Sequence, residues 1–324
     1  MTGDLTSAVA AVAGGTGAHD VPGAAGDGPG AGRGTGRGTG TGATASAAHR
    51  RRVHGLPSSL VAGTVLVGLV AVVGLVSLVW TPYALDDTGT GDRLAGPSLA
   101  HWGGTDRLGR DLLSQLMTGA GNALVVAVAS LLVAGVIGVV VGVLAGATRR
   151  WVDVTLLSAV DLLIAFPTLL LAMLIVTVRG ASLSSAIWAI GISGSAVIAR
   201  VTRVNVARVL REDYVTAAAA SGTGWWGTIT RHVVPNVAPT LLVQLMLLGG
   251  GAVLAEASLS YLGLGAPPPN ASWGRLLHEA QSTMLVQPWG AILPGVAIVV
   301  TVLGLNLLGD GIRERTDPNL RGDR

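Results

Sequence analysis

Six long uncharged runs constrain this chain more than any other feature of its sequence. A helix needs about 20 apolar residues to cross the hydrocarbon core of a bilayer. Trimmed to their apolar centres, and with the third extended back past Asp161, the runs predict six spanning helices at Leu60–Trp80, Leu124–Ala145, Leu156–Val178, Ser184–Ile198, Ala238–Leu254 and Trp289–Leu308. Only 12% of the residues are charged, whereas a soluble domain carries about a quarter. The sequence therefore predicts an all-α polytopic membrane protein.

Three stretches predict departures from straight, lipid-facing spans. The fourth run is short and rich in glycine and serine, and small residues favour close helix packing, so we expect it inside the bundle. Pro167 predicts a kink in the third span. The further uncharged run Ala257–Gly274 contains three consecutive prolines, which break a helix. That run predicts an irregular outer loop or a re-entrant segment.

Arginine placement predicts the orientation in the lipid bilayer. With the N-terminus inside, the inner segments hold 16 arginines and the outer segments hold 5. Because cytoplasmic loops carry the excess of basic residues, both termini are expected in the cytoplasm.

Composition also predicts the domain organisation. Residues 1–52 are rich in Gly, Ala, Thr and Arg and bury no core, so they predict a disordered cytoplasmic tail. Residues 53–118 are expected to hold the first helix and an outer loop, and residues 119–312 a five-helix transmembrane domain. Residues 313–324 form a cytoplasmic C-terminal tail in this reading.

Several kinds of chemistry are excluded by what the sequence lacks. All 21 basic residues are arginine, and a phosphate-binding loop needs a lysine to reach the terminal phosphates. There is no cysteine, and the six histidines form no recognisable metal-binding motif, so no metal site is expected. No catalytic nucleophile with its base is recognisable.

The scattered arginines and net charge of +3 do not indicate a nucleic-acid partner. We expect a chain that is not an enzyme and binds no cofactor.

The inner loop at 199–236, between the fourth and fifth spans, has an unusual design. Ala199–Arg211 predicts a helix that runs out of the membrane, and Tyr214–Ser221 predicts a second, short helix. Asp213 lies near the start of the second helix, where a negative charge suits the helix dipole. The loop then passes through Gly222 and Gly224, a turn at Trp225–Trp226, and Pro235 at the return to the membrane. From these residues alone, the element is either a solvated connector or a docking site for a cytoplasmic partner.

The loop resembles the inner loop of ABC importer permeases. The signature of that family runs Glu-Ala-Ala, three residues, Gly, nine residues, then Ile-x-Leu-Pro. This sequence keeps every interval, with Ala217, Ala218, Gly222 and Pro235 matching the signature. Thr216 replaces the glutamate and His232 replaces the isoleucine. The missing glutamate removes whatever polar contact that residue makes elsewhere in the family.

Three further stretches resemble one branch of the same family. They are HWGGTDRLGRDLLSQLMTGA from His101, EASLSYLGLGAPPPNASWG from Glu256 and LGDGIRERTDPNLR from Leu308. All three are similar to the C-type permease subunit of dipeptide, oligopeptide and nickel importers. The resemblance covers about Val53 to Arg321.

The resemblance implies a subunit of a larger assembly in a prokaryotic plasma membrane. A second homologous permease would complete the pore, two ABC ATPase subunits would bind ATP and Mg²⁺, and an extracytoplasmic substrate-binding protein would deliver cargo. Peptides are the commonest cargo of this branch, while nickel, glutathione and other small solutes are alternatives. The residues implied in coupling to the ATPases are Asp213, Tyr214, Thr216, Ala217, Ala218, Gly222, Trp225, Arg231 and Pro235.

Three polar residues in or near the spans are candidates for the pathway or a gate. Asp161 lies inside the third span, where an ionisable group is a functional candidate. Its alternative role is to pair with Arg149 or Arg150 at the inner interface. Glu256 either lines the outer mouth or caps the loop helix. Asn306, like Gln244, faces either the pore or a neighbouring helix.

Two rival functions remain at this stage. A proton-coupled secondary transporter would need buried acidic or histidine relays and usually inverted repeats, and Asp161 alone supports it. A polytopic membrane enzyme would need paired carboxylates, a histidine cluster or a nucleophile.

Overall fold

The computed structural model describes residues 57–268 and 270–316, and these residues fold mainly into helices. The helices are α1 (Ser58–Ser77), α2 (Leu112–Ala147), α3 (Arg150–Ala165), α4 (Thr168–Arg179), α5 (Leu183–Val209), α6 (Asp213–Ala220), α7 (Trp225–Thr228), α8 (Val234–Tyr261), α9 (Trp273–Ala280) and α10 (Trp289–Thr316). A π-helical segment, Ile229–Val233, joins α7 to α8. The predicted N-terminal tail lies outside the described residues.

Within the described ranges, five helical stretches are long and apolar enough to cross a membrane, and a bent pair of helices brings the number to six. The five are α1, α2, α5, α10 and the continuous stretch from α7 through α8. The bent pair is α3 with α4. The predicted all-α membrane fold with six apolar segments is confirmed.

The third predicted span is two helices and not one kinked helix. Helices α3 and α4 meet at an angle of 92°. Phe166 is extended, with φ −77° and ψ 133°, as a residue before proline prefers to be. Pro167 precedes the first turn of α4, where its missing N–H costs no helical hydrogen bond. The expected kink is therefore a complete break.

Helices α2 and α5 form the central pair and run parallel to each other. Gly138, Gly142 and Gly146 follow at four-residue intervals on α2, and each lies against α5. A Cβ at Gly142 would lie 2.4 Å from the Cβ of Thr202. Such contacts require glycine, because any side chain would separate the two backbones. Most residues in the apolar window of α5 are buried, which agrees with the expected position of the fourth span inside the bundle.

Helices α1 and α8 run antiparallel to α10. Gly63 of α1 lies against Gly304 and Leu308, while Gly250 of α8 lies against Val302 and Asn306. The start of α1, the ends of α2, α5 and α10, and the start of α8 therefore share one end of the bundle. We call this the α6 end, because α6 follows directly on α5.

Several helix ends differ from the predicted spans. Helix α2 begins at Leu112, twelve residues before the predicted start, because Asp111 caps it by accepting a hydrogen bond from the Ser114 N–H. The short fourth span and the helix predicted after it are a single helix, α5. Helix α8 continues to Tyr261, so the first residues of Ala257–Gly274 are helical and not irregular.

Candidate coupling site

The short helix α6 projects from the α6 end of the bundle. Helix α5 ends at Val209, and α6 covers Asp213–Ala220, within one residue of the predicted helix. Asp213 lies in its first turn, where its charge favours the helix dipole. Val215 is buried, with 3% of its surface exposed. Most of the other α6 side chains are exposed, so the helix offers an open surface anchored at one apolar residue.

Gly222 ends α6 by adopting a left-handed backbone conformation with φ +88°. Its N–H donates to the Ala219 carbonyl at 3.1 Å, and the Thr223 N–H donates to the Ala218 carbonyl at 3.1 Å. These two bonds satisfy carbonyl groups at the end of the helix. A Cβ at this position would meet no other atom within 4 Å. The backbone conformation at position 222 therefore requires glycine, whereas close packing does not.

The remaining residues implied in coupling lie on or beside this exposed element. Thr216 and Ala217 are exposed on α6, and Ala218 is half-buried. Exposed side chains also follow on the path back to the bundle, at Trp225, Arg231 and Pro235. The Thr216 hydroxyl donates to the Glu212 carbonyl within its own helix, at 3.4 Å. The structure thus brings the implied coupling residues together on one loop.

A polar and aromatic cluster, which sequence reasoning missed, links α6 to α8. Asn236 donates through Nδ2 to the Tyr214 hydroxyl at 3.0 Å and to the His232 carbonyl at 2.6 Å. The rings of Tyr214 and His232 meet edge to face, with centroids 6.2 Å apart. His232 and Asn236 lie four residues apart, at helical spacing, whereas Tyr214 lies on α6 beyond the Gly222 turn and α7, so helical spacing could not have revealed its place in the cluster.

Asp161 pairs with Arg200, and not with Arg149 or Arg150, the partners named in the alternative to a pathway role. The Asp161 carboxylate accepts a hydrogen bond from the Arg200 guanidinium, and about half of each side chain is exposed. A second pair joins the same two helices: Arg203 donates through Nε to one Asp153 oxygen at 3.0 Å and through a terminal nitrogen to the other at 2.6 Å. Both pairs fasten α3 to α5.

Glu256 and Asn306 lie in helix contacts within the chain. Glu256 is only 2% exposed and accepts a hydrogen bond from the Ser260 hydroxyl one turn later, at 2.7 Å. Asn306 faces α8, since its Oδ1 would lie 3.0 Å from a Cβ at Gly250. Asn306 therefore contacts a neighbouring helix, one of the two expected positions.

Ion pairs and a buried histidine organise the opposite end of the bundle, another arrangement that sequence reasoning missed. His101 Nδ1 lies 3.0 Å from an Asp111 oxygen, and both side chains are buried. Arg110 contacts Asp106 at 2.7 Å and Glu279 at 3.3 Å. These contacts fix the segment before α2 against the start of α2 and against α9.

Comparison with known proteins identifies the family. The family described as binding-protein-dependent transport system inner membrane component matches residues 138–322. The chain is 39% identical over 241 residues to the glutathione transport system permease protein GsiD of Pectobacterium atrosepticum, covering 74% of this chain and 80% of that protein. It is 34% identical over 261 residues to the dipeptide transport system permease protein DppC of Alkalihalophilus pseudofirmus, covering 81% and 86%. A putative peptide permease protein of Brucella suis is 35% identical over 241 residues, covering 74% and 80%.

The chain belongs to the family of binding-protein-dependent transport system inner membrane components. Within it, the chain is a multi-pass ABC importer permease of the peptide family. The resemblance of the inner loop and of the three further stretches is thereby confirmed at the level of family and branch.

Proposed function

We propose that this chain forms half of the transmembrane pathway of an ATP-driven importer for di- and oligopeptides. A second homologous permease forms the other half, two separate ATPase subunits bind ATP and Mg²⁺, and an extracytoplasmic protein delivers the cargo. The observation that carries the proposal is α6 itself, an exposed helix ended by Gly222 at the end of the bundle where α5 stops and α8 begins. The relatives' names, which specify dipeptide, peptide and glutathione transport, support the cargo class.

In this proposal α6 rests in a groove on one ATPase subunit. Small side chains such as Ala217 allow the two surfaces to approach closely. When ATP draws the ATPases together, α6 moves with its subunit and tilts the permease. The permease alternates between two conformations, and ATP shifts their populations because it binds one of them better. The coupling is thus a free energy shared between the ATP site and the cargo pathway.

Reconstitution in lipid vesicles tests this function. The chain is purified with the partners that accompany it, and uptake of a labelled dipeptide is measured with ATP on the side of the ATPases. We expect uptake that depends on ATP and on the binding protein, together with co-purification of two ATPases and a second permease. Competition by glutathione and by nickel distinguishes the cargo alternatives. Uptake by the chain alone, driven by a pH gradient, would instead establish a secondary transporter and remove the proposal.

A further inference from the structure

The side chain of Tyr214 connects helix α6 to the start of α8. The Tyr214 hydroxyl accepts a hydrogen bond from Asn236 Nδ2 at 3.0 Å, and its ring lies edge to face with the ring of His232. The same Asn236 amide donates to the His232 carbonyl at 2.6 Å. Thr216, which stands where the family signature has a glutamate, bonds only within its own helix by the hydrogen bond given above. The polar link from α6 to α8 therefore runs through Tyr214.

The stretch that receives this link is weakly held as a helix. It begins with the π-helical segment Ile229–Val233, and Pro235 and Pro239 follow in the first two turns of α8. A proline has no N–H, so Pro239, which lies inside α8, removes the helical hydrogen bond to the Pro235 carbonyl four residues before it. π-Helical segments are rare and often lie at functional sites. A helix bends most easily where such bonds are missing.

Beyond Pro239, α8 continues without a further proline to Tyr261. This part of the helix is about 33 Å long at 1.5 Å per residue. It contacts α10 at Gly249 and Gly250, and it carries the buried Glu256 near its far end. A change of direction at the start of α8 therefore shifts the part of the helix that packs against α10 at Gly249 and Gly250.

We propose that Tyr214, His232 and Asn236 form a joint that transmits the tilt of α6 to α8, with the π-helical segment and the two prolines as its hinge. The inference rests on the proposed function, because it assigns the path by which movement of an ATPase reaches the bundle. Tyr214 and Asn236 are positioning residues: they touch neither the cargo nor ATP. Their role is to make α8 follow α6.

The test uses the full assembly in vesicles and compares Tyr214→Phe and Asn236→Ala with the unmodified chain. The readout is the amount of dipeptide transported per ATP hydrolysed, together with co-purification of the ATPases. We expect Asn236→Ala, which lies on α8 and outside the docking helix, to retain the ATPases and to hydrolyse ATP at nearly the normal rate. The transport ratio should fall by about fivefold or more, the lower range of an allosteric coupling. Because both changes break the same link, the double variant should be no worse than the more affected single one.

Tyr83→Phe is the matched control. The Tyr83 hydroxyl also makes one hydrogen bond, to the Ala100 carbonyl at 3.0 Å, in the segment that precedes α2 at the opposite end of the bundle. The same chemical change there should leave the transport ratio normal.

A rescue experiment tests whether the contact between Tyr214 and Asn236 transmits the movement of α6 or only stabilises the folded protein. The chain has no cysteine, so the double variant Tyr214→Cys and Asn236→Cys places two thiols that are unique within this chain, and the unmodified assembly treated in the same way controls for thiols of the partners. A short bis-methanethiosulfonate cross-linker that joins them should restore the transport ratio, which treatment of either single variant should not do. An unchanged ratio in Tyr214→Phe and Asn236→Ala, loss of the ATPases from Asn236→Ala, or no recovery on cross-linking would each overturn the joint. If the proposed function itself is wrong, the unmodified assembly shows no ATP-driven uptake. If only the joint is wrong, the unmodified assembly still transports.

Discussion

Glycines occupy opposite surroundings in the central helix pair and in the coupling loop. On α2, a Cβ at Gly138 would lie 2.6 Å from the Cβ of Ile198, and a Cβ at Gly142 would lie 2.6 Å from the Ala199 carbonyl oxygen. At Gly222 and Gly224 a Cβ would meet nothing within 4 Å. The first pair of glycines allows two helices to touch, whereas Gly222 allows a backbone conformation and keeps a surface open. The same residue type thus allows close packing in one region and a left-handed turn at the end of an exposed helix in the other.

The largest effect is expected at Gly142. Gly142→Leu places a side chain against the backbone and side chains of α5, and overpacking of this kind costs about 3 kcal/mol or more when the backbone must move. We expect little monodisperse protein in detergent and a lowered melting temperature for what remains. The measurement is size-exclusion chromatography followed by thermal unfolding.

Gly68→Leu is the control for that substitution. Gly68 lies inside α1, and a Cβ there would meet nothing within 4 Å. Leucine also favours a helix more than glycine does. Normal yield from Gly68→Leu and loss of Gly142→Leu would support close approach as the role of Gly142. Equal yields would contradict it.

A smaller effect on folding but a clear effect on transport is expected at Gly222. Gly222→Arg strains a left-handed backbone by about 1–2 kcal/mol and places a long charged side chain on the docking surface. We expect membrane insertion to persist, while transport falls by about tenfold or more as coupling is lost. ATP-driven uptake and stability are measured on the same preparation.

Gly180→Arg also strains a positive-φ backbone in a different place, and more severely, because φ +89° with ψ 150° is a region that essentially only glycine adopts. Gly180 has φ +89° and, like Gly222, open space where a Cβ would stand, but it lies between α4 and α5. It should share the loss of stability and keep ATP-dependent transport. If both variants transport normally, α6 is not a docking element.

The smallest effects are expected at the ion pairs that join α3 to α5 beside the coupling loop. Asp153→Asn breaks a two-bond contact with Arg203 whose side chains are mostly covered, and should cost about 1 kcal/mol. Asp161→Asn breaks a half-exposed pair, so we expect a change below about 0.5 kcal/mol. Unfolding in a denaturant series checks both values.

Transport measurements on the same two variants address the predicted pathway role of Asp161. If the Arg200 contact is its only use, Asp161→Asn should transport nearly as well as the unmodified chain. A large loss of transport at normal stability would show that Asp161 acts in the pathway.

Features that depend on neighbouring residues were predicted well from the sequence. The apolar runs located the spans, and the helix of α6 was placed within one residue because Asp213 favours its start and Gly222 its end. The break at Pro167 was expected as a kink, since a proline disfavours helix in the residue before it. Its angle of 92° was not predictable, because packing of α3 and α4 against α5 sets that angle.

The sequence by itself determined that this chain is a helical membrane protein with a short helix in its long inner loop, because length, hydropathy and turn residues act locally. Only the tertiary structure decided that Asp161 meets Arg200, that Gly142 meets Thr202 and that Tyr214 bonds Asn236. Each of these pairs joins residues from different helices. Their distance depends on how the helices pack, and helical periodicity carries no information about the partner a side chain will meet.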